Sequence, residues 1–371
     1  MLSLEMFTYE INNFMQKEER KILRGKKLEN FNENENGLMD HGVFGLPFSP
    51  EESELVLLPL PWEATVSYTT GTASGPQAIL DASQQIDLYD PLHIDGWKNG
   101  IAMLDISSSI LQKTREVRSK TEKYLEEYFK GNVNEVLRQE INIECKIFKE
   151  DVKNITSKLL NEGKLVGIVG GDHSVPLGYM EALSEKYESF GILHIDAHAD
   201  LREAYEGLEY SHASIFYNAL KIKNVSKLVQ VGIRDFSKGE QEIIEKESGR
   251  IIMFTDYENK KALFEGSTWS AVCESIVKEL PENVYISFDI DGLLPHLAPN
   301  TGTPVSGGFS IEEMVYLFEK VIASGKKIIG FDLCEVAPGE SGEWDGNVGA
   351  RVLYKLCLLA LKSKNHGNNQ D

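Results

Sequence analysis

Short, almost wholly apolar runs alternate with amphipathic segments along most of this chain. From Glu54 the run ELVLLPLPW is unbroken in apolar residues until a proline closes it, which predicts a strand buried on both faces. TTGTASGPQAILDAS follows as a Gly-rich turn leading into a helix, and GIAMLDI after residue 99 is a second apolar segment. Beyond residue 163 the alternation becomes regular. Strands are expected at KLVGIVGG, FGILHIDAHADL, LVQVGIRD, RIIMFT, VYISFDID and KKIIGFDLCEV; helices are expected at VPLGYMEALSEKY, GEQEIIEKES, STWSAVCESIVKEL and SIEEMVYLFEKVIAS. Apolar strands alternating with helices predict an α/β fold, a central parallel sheet covered on both faces. Functional residues of such sheets gather beyond the carboxyl ends of the strands.

The rest of the pattern divides the chain. Residues 1–53 read as an N-terminal extension: a charged helical stretch to about Lys27, then the linker-like NFNENENG. Residues 54–361 form the main domain. A charged stretch with apolar residues at helical spacing runs over 112–162 and predicts two or more surface helices, with an insertion at about 112–150. Residues 362–371 are a polar tail expected to fray. The opening MLSLEMFTYEINNF lacks a basic region followed by an apolar run and does not read as a signal peptide. No stretch reaches the roughly 18 apolar residues of a membrane span.

Composition narrows the partners. The 371 residues carry 38 Lys+Arg against 58 Asp+Glu, a formal charge of −20, which argues against nucleic acid or an anionic membrane as partner and leaves cationic ligands open. Cys145, Cys273, Cys334 and Cys357 are scattered without a CxxC pair, so neither a disulfide framework nor a thiolate zinc site is expected; a reducing cytoplasm is.

The densest chemical signal is HIDAHADL. Asp196, His198 and Asp200 stand at i, i+2 and i+4, so on an extended chain all three project from one face at the end of the apolar ILHI. A solvated polar edge would read similarly, but three such groups at the end of a buried strand need a counter-charge, and a divalent cation supplies it. VYISFDID repeats the logic with Ser287, Asp289 and Asp291. GIVGGDHSVPLG ends a strand in two glycines, presents Asp172 and His173, and enters a helix with Pro176 in its first turn. His173 alone would suit a helix entry; beside two carboxylate clusters it is a candidate ligand. His173, Asp196, His198, Asp200, Asp289 and Asp291 are too many for one catalytic zinc and suit two carboxylate-bridged ions. An oxygen-dominated set with imidazole favours manganese, with nickel, cobalt and iron as alternatives. Two ions roughly 3.5–4 Å apart share one water and bring its pKa towards about 7.

GGDHS, DAHAD and SFDIDGLLPHLAPNTGTPVSGG resemble the three signature segments of the ureohydrolase family of arginases, agmatinases and related guanidino-acid hydrolases, over about Glu54 to Leu361. The resemblance implies the arginase-type three-layer fold and two Mn2+ per subunit. It implies that His173, Asp196, Asp200 and Asp289 hold one ion and Asp196, His198, Asp289 and Asp291 the other, with Asp196 and Asp289 bridging. It makes His212, in YSHAS, a proton shuttle, Glu335, in FDLCEVAP, the partner of the substrate guanidinium, and Asp200 the carrier of a proton to the departing nitrogen. The products are urea and an amine. Leu294 stands where the family commonly has an acidic residue, and His296 follows at the expected substrate entrance.

The loop after DAHAD lacks the Asn by which arginases hold the amino-acid end of arginine, and Ser237 stands where an acidic contact to the α-amino group is expected, although Asp235 and Glu240 are arginase-like. Glu203, Glu206 and Glu209 suit a substrate with a distal ammonium, whereas Arg202 suits a carboxylate. Agmatine, yielding putrescine, therefore ranks first, arginine second, and carboxylated guanidines such as 4-guanidinobutanoate third. Readings of another class are a single-metal amide deacetylase and a non-catalytic metal binder. The family resemblance also implies a homo-oligomer, a trimer or hexamer.

Overall fold

The computed structural model describes residues 15–34, 42–340 and 343–366. Eight strands form one sheet: β1 (Leu55–Leu60), β2 (Ile101–Met103), β3 (Leu165–Gly170), β4 (Phe190–Ile195), β5 (Val225–Val231), β6 (Ile251–Phe254), β7 (Asn283–Asp289) and β8 (Lys327–Cys334). Every pairing is parallel, and the order is β2-β1-β3-β8-β7-β4-β5-β6.

The continuous apolar strands have the predicted cause. In β1, Leu55 and Leu57 enter one core and Val56, Leu58 and Leu60 the other, so both faces of the pleat are buried. The first core is closed by α2 (Gly75–Ser83), α9 (Trp269–Glu279), α10 (Ile311–Ala323) and α11 (Trp344–His366). The second is closed by α3 (Ser108–Tyr128), α4 (Glu135–Asn161), α5 (Leu177–Lys186) and α6 (Ile215–Ala219). Helices therefore flank the sheet on both faces, in three layers.

The long helical stretch is two helices. Asn134 caps α4 by accepting from the Leu137 amide at 3.1 Å, and Lys120–Glu140 at 3.0 Å with Lys113–Glu144 at 2.9 Å pair α3 and α4 in antiparallel order. The hairpin packs on α5 and on the loops beyond the sheet.

Three segments depart from the expected pattern. The tail does not fray at Leu361: α11 continues to His366, because Ser363 is buried and accepts from the Ile328 amide at 2.8 Å while Lys364 pairs with Glu54 at 2.7 Å. Residues 367–371 lie outside the described residues. At the other end α1 (Lys17–Leu28) is docked: Arg20 donates to the Glu162 carbonyl at 2.7 Å, Arg24 to that of Glu52 at 2.6 Å, and Val43, Phe44, Leu46 and Phe48 are core residues. Residues 35–37 of NFNENENG and the whole opening segment also lie outside the described residues. Finally, α8 (Asp256–Phe264) has no clear apolar stripe, and only Asp256 and Asn259 of it are buried. Its signal is local: Thr255 caps it through the Glu258 amide at 3.1 Å, the T-x-x-E spacing.

Candidate active site

The sheet order places the site. The central strands β3, β8, β7 and β4 end side by side, and GGDH, FDLCE, FDID and HIDAHAD follow or close those four ends. Gly171 allows the turn after β3, since a Cβ there would overlap the Trp62 backbone. Asp172 stitches that turn to its neighbour, accepting from the Ala64 amide at 3.2 Å and from the Ser174 amide at 3.0 Å.

His173 is buried at the centre. Its Nδ1 lies 3.1 Å from Asp196 Oδ2, 3.2 Å from Asp289 Oδ2 and 3.5 Å from Asp200 Oδ2. Its Nε2 donates to Ser287 Oγ at 2.9 Å, and Ser287 in turn donates to Asp332 Oδ2 at 2.8 Å. That relay occupies Nε2 and turns Nδ1 towards three carboxylates, so that Nδ1 is the lone-pair side whenever the ring is neutral. A second group adjoins it: His198 Nδ1 lies 3.1 Å from Asp291 Oδ2 and 3.5 Å from Asp196 Oδ1. Asp196 is thus common to both groups.

The predicted extended geometry holds only in part. β4 ends at Ile195, and Asp200 has a positive φ of 51°, so Asp196, His198 and Asp200 converge through a bend and not along a pleat. The bend is fixed by polar backbone contacts: Asp196 Oδ1 accepts from the His198 amide at 2.6 Å, and Asp291 Oδ1 from the Ala197 amide at 3.0 Å. Ser287 and Asp289 do share a face, both reaching His173. Asp291 lies in a single 3-10 turn capped by Asp289, whose Oδ1 accepts the Asp291 amide at 2.8 Å.

Electrostatics describe a site built for added positive charge. Burial and the charge of Asp196 push Asp200 well above the carboxylate range; burial, Asp291 and Asp196 do the same to Asp289. Burial opposes charge on His173, yet hydrogen bonds from its ring to Asp196, Asp289 and Asp332 carry its imidazole well above the ordinary value. Burial opposes the Asp196 anion too, but His194 and His173 hold it well below the usual range. The donor set therefore fits divalent cations. Within His173, His194, Asp196 and Asp200, and again within Asp196, His198 and Asp291, potential ligand atoms lie within 4.8 Å of one another.

Two residues were missed in the sequence. His194 donates from Nε2 to Asp196 Oδ2 at 2.7 Å, and its Nδ1 accepts from Gln230 Nε2 at 3.0 Å, so it orients the shared carboxylate. Asp332 takes Tyr285 Oη at 2.7 Å besides Ser287 and so anchors the His173 relay. The signal for both was the alternation itself: His194 precedes Asp196 by two, and Asp332 stands two before Cys334. The four cysteines are buried and unpaired.

Two cavities meet over the cluster. The inner, about 170 Å3, is lined by His198, Asp200, Asp289, Arg202, Asp235 and Glu240 among others; the outer, about 390 Å3, by Val66, Ser67, Tyr68, Thr69, Phe129 and Glu206. Tyr205, His212, Thr303 and Glu335 line both. Glu335 has a φ of 63°, and its Oε1 accepts the His173 amide at 2.8 Å; burial and Asp172 raise its carboxyl well above the ordinary range. Burial, helped by the charges of His198 and His173, lowers the His212 imidazole to about 4.

The expected substrate-tail residues separate. Glu240 is spent on structure: with Ser237 it forms the capping box of α7 (Lys238–Lys246), and it also accepts the Leu201 amide at 3.1 Å. Arg202 lies 3.8 Å from Glu240 and stacks on the Tyr205 ring at 4.8 Å. Asp235 is exposed on the inner cavity, whereas Glu203, Glu209 and His296 are exposed and line neither cavity. His296 offers its carbonyl to Trp344 Nε1 at 2.9 Å.

A parallel sheet with buried carboxylates and imidazoles converging beyond its carboxyl ends defines an α/β protein with a candidate metal centre. The sequence profile of the arginase family matches residues 53–359, and the chain belongs to that family as a ureohydrolase. It is 32% identical over 322 residues to the N(1)-aminopropylagmatine ureohydrolase of Thermus thermophilus, covering 86% of this chain and 96% of that one. It is 30% identical over 309 residues to the agmatinase of Halalkalibacterium halodurans, covering 83% and 92%. The agmatine ureohydrolase of Thermoplasma volcanium shares the fold with a TM-score of 0.67 at 21% identity, over 92% of this chain and 99% of that one. Among the described residues no helix is long and apolar enough to cross a membrane.

Proposed function

We propose that this ureohydrolase cleaves the guanidinium of a linear aminoalkylguanidine, agmatine in the first instance, to urea and an amine at a pair of manganese ions. The observation that carries the reading is the convergence of His173, Asp196, His198, Asp200, Asp289 and Asp291 under a cavity that Glu335 and His212 also line. In this reading His173, Asp196, Asp200 and Asp289 hold one ion, and Asp196, His198, Asp289 and Asp291 the other. When bound, the ions supply an acidified water as nucleophile.

The chain's own residues do the rest. Glu335 forms a charge-assisted pair with the planar guanidinium and fixes its carbon over the cluster. A cation beside it restores the ionised form that burial disfavours. Asp200, within the cavity, would take the proton released by the attacking water and pass it to the departing nitrogen so that the amine leaves neutral. His212, neutral at the cavity junction, would carry the further protons exchanged between the cavity and solvent in each turnover. Arginine is the weaker substrate on this reading, because the Arg202 guanidinium is already engaged by Glu240 and Tyr205. The names of the relatives support agmatine and its aminopropyl derivative.

The test is urea release by manganese-loaded protein from agmatine, aminopropylagmatine, arginine and 4-guanidinobutanoate. The two ammonium-bearing amines are expected to give the highest kcat/KM. Absence of urea from all four refutes the reading.

A further inference from the structure

The outer cavity is a built feature whose walls are tied together by the helical hairpin. Arg118 of α3 donates to the Val66 carbonyl, and Thr114 Oγ1 accepts the Glu63 amide at 2.7 Å, which holds the 63–69 loop forming one wall. Tyr124 Oη of α3 donates to the Glu206 carbonyl at 2.7 Å, and Asn142 of α4 reaches the Gly207 carbonyl at 3.4 Å and the Glu209 amide at 2.9 Å, which holds the opposite wall. Phe129, at the end of α3, lines the cavity itself.

The turn at Glu206 is conformationally costly. Glu206 has a φ of 55°, in the left-handed region that disfavours a side chain, and Gly207 follows at 84°, where a Cβ would lie 2.7 Å from Tyr124 Oη. What the strain presents is a carboxylate on the cavity wall whose Oε2 is buried without a hydrogen-bond partner among the described residues. Burial raises that carboxyl, and the Arg202 charge and a hydrogen bond from Ser67 only partly offset it, so the group, with Oε2 unpaired, gains from a cation brought into the cavity. Tyr68, on the facing wall, and Phe129 also line the cavity, and aromatic rings attract an ammonium.

We propose that Glu206, with Tyr68 and Phe129, forms the subsite for the distal ammonium of the substrate and sets the preference for aminoalkylguanidines over arginine and carboxylated guanidines. The hairpin of α3 and α4 is then the scaffold of substrate selection. Of the three glutamates in the loop after Asp200, Glu206 lines the outer cavity, whereas Glu203 and Glu209 line neither of the two. The outer cavity is also larger than the inner one, so it has room for an aminoalkyl extension beyond the guanidinium. The subsite gives meaning to the substrate named in the proposed function and rests on that reading for its kinetic test.

Because a contact remote from the reacting carbon acts alike in ground and transition states, its loss raises KM and leaves kcat. Glu206→Gln in manganese-loaded protein should raise KM for agmatine and aminopropylagmatine by about 10–100-fold, the worth of a charge-assisted hydrogen bond, with kcat within about twofold. Butylguanidine, which has no distal ammonium, should be hydrolysed equally by both proteins. Phe129→Ala removes an exposed ring, keeps the fold, and should raise the same KM by a smaller factor. An unchanged KM for the ammonium-bearing substrates, or an equal loss for butylguanidine, overturns the subsite. Calorimetric binding of the linear triamine spermidine separates this from the proposed reaction. If no guanidine yields urea, the hydrolytic reading fails, while triamine binding lost in Glu206→Gln still supports the subsite and equal binding by the two proteins refutes it.

Discussion

Replacing Ser287 by Ala tests whether the His173 relay prepares a metal ligand. The substitution deletes one buried hydroxyl that accepts from His173 Nε2 at 2.9 Å and donates to Asp332 Oδ2 at 2.8 Å. Asp332 Oδ1 stands 3.6 Å from His173 Nε2, too far for a good hydrogen bond as placed, and Asp332 keeps Tyr285 Oη and the Phe288 amide at 3.3 Å. Two consequences follow with separate magnitudes. Orienting partners of metal-bound imidazoles are worth about 10–100-fold in metal affinity, so the ion beside His173 should weaken by that factor while the ion at His198 and Asp291 keeps its affinity. Leaving a buried imidazole N–H unpaired costs about 1–3 kcal/mol, which for a chain of this length lowers Tm by roughly 1–4 °C. Manganese titration of metal-stripped protein by calorimetry reads the first effect, and a thermal melt reads the second. Two undisturbed affinities would refute the relay; equal weakening of both ions would show that Ser287 acts on the cluster as a whole and not through His173.

Asp196 is common to both groups of ligand atoms, so Asp196→Asn should remove both manganese ions in the same titration, and retention of either at wild-type affinity contradicts the shared role. Gly171→Ala drives a Cβ into the Trp62 backbone and should cost about 1–3 kcal/mol or more in urea unfolding; wild-type stability would show that the turn after β3 yields freely. His212 has its pKa lowered to about 4 against an ordinary unfolded value near 6.5, so the unfolded chain binds the extra proton first. The stability this group contributes is fully present above about pH 6.5 and declines as pH falls towards 4; melts of metal-stripped wild type and His212→Asn at pH 7 and 5 should show the larger loss in the wild type, and identical losses would remove His212 from the account.

The candidate ligands were legible because buried strands tolerate charge only at their ends, which makes HIDAHAD, FDID and GGDH conspicuous after apolar runs. The manner of their convergence was not legible. Asp200 reaches His173 through a left-handed bend, and Asp291 through a 3-10 turn, both held by amide contacts from chain distant in sequence or by capping. His194 escaped notice as part of an apolar run, since its role appears only when Gln230 of the neighbouring β5 fixes its orientation. Glu240 was misleading in the opposite way, an acidic residue near the site whose carboxylate closes a helix cap.

By itself the sequence determined the parallel α/β architecture, the residues at each strand end and the acidic balance that favours a cationic substrate. Only the tertiary structure decided that β8 and β7 lie between β3 and β4, which brings His173 beside Asp196, Asp289 and Asp332. It also decided which of three loop glutamates lines the outer cavity. The physical reason is that local pattern sets burial and periodicity, whereas strand order and loop walls follow from packing between segments far apart in the chain.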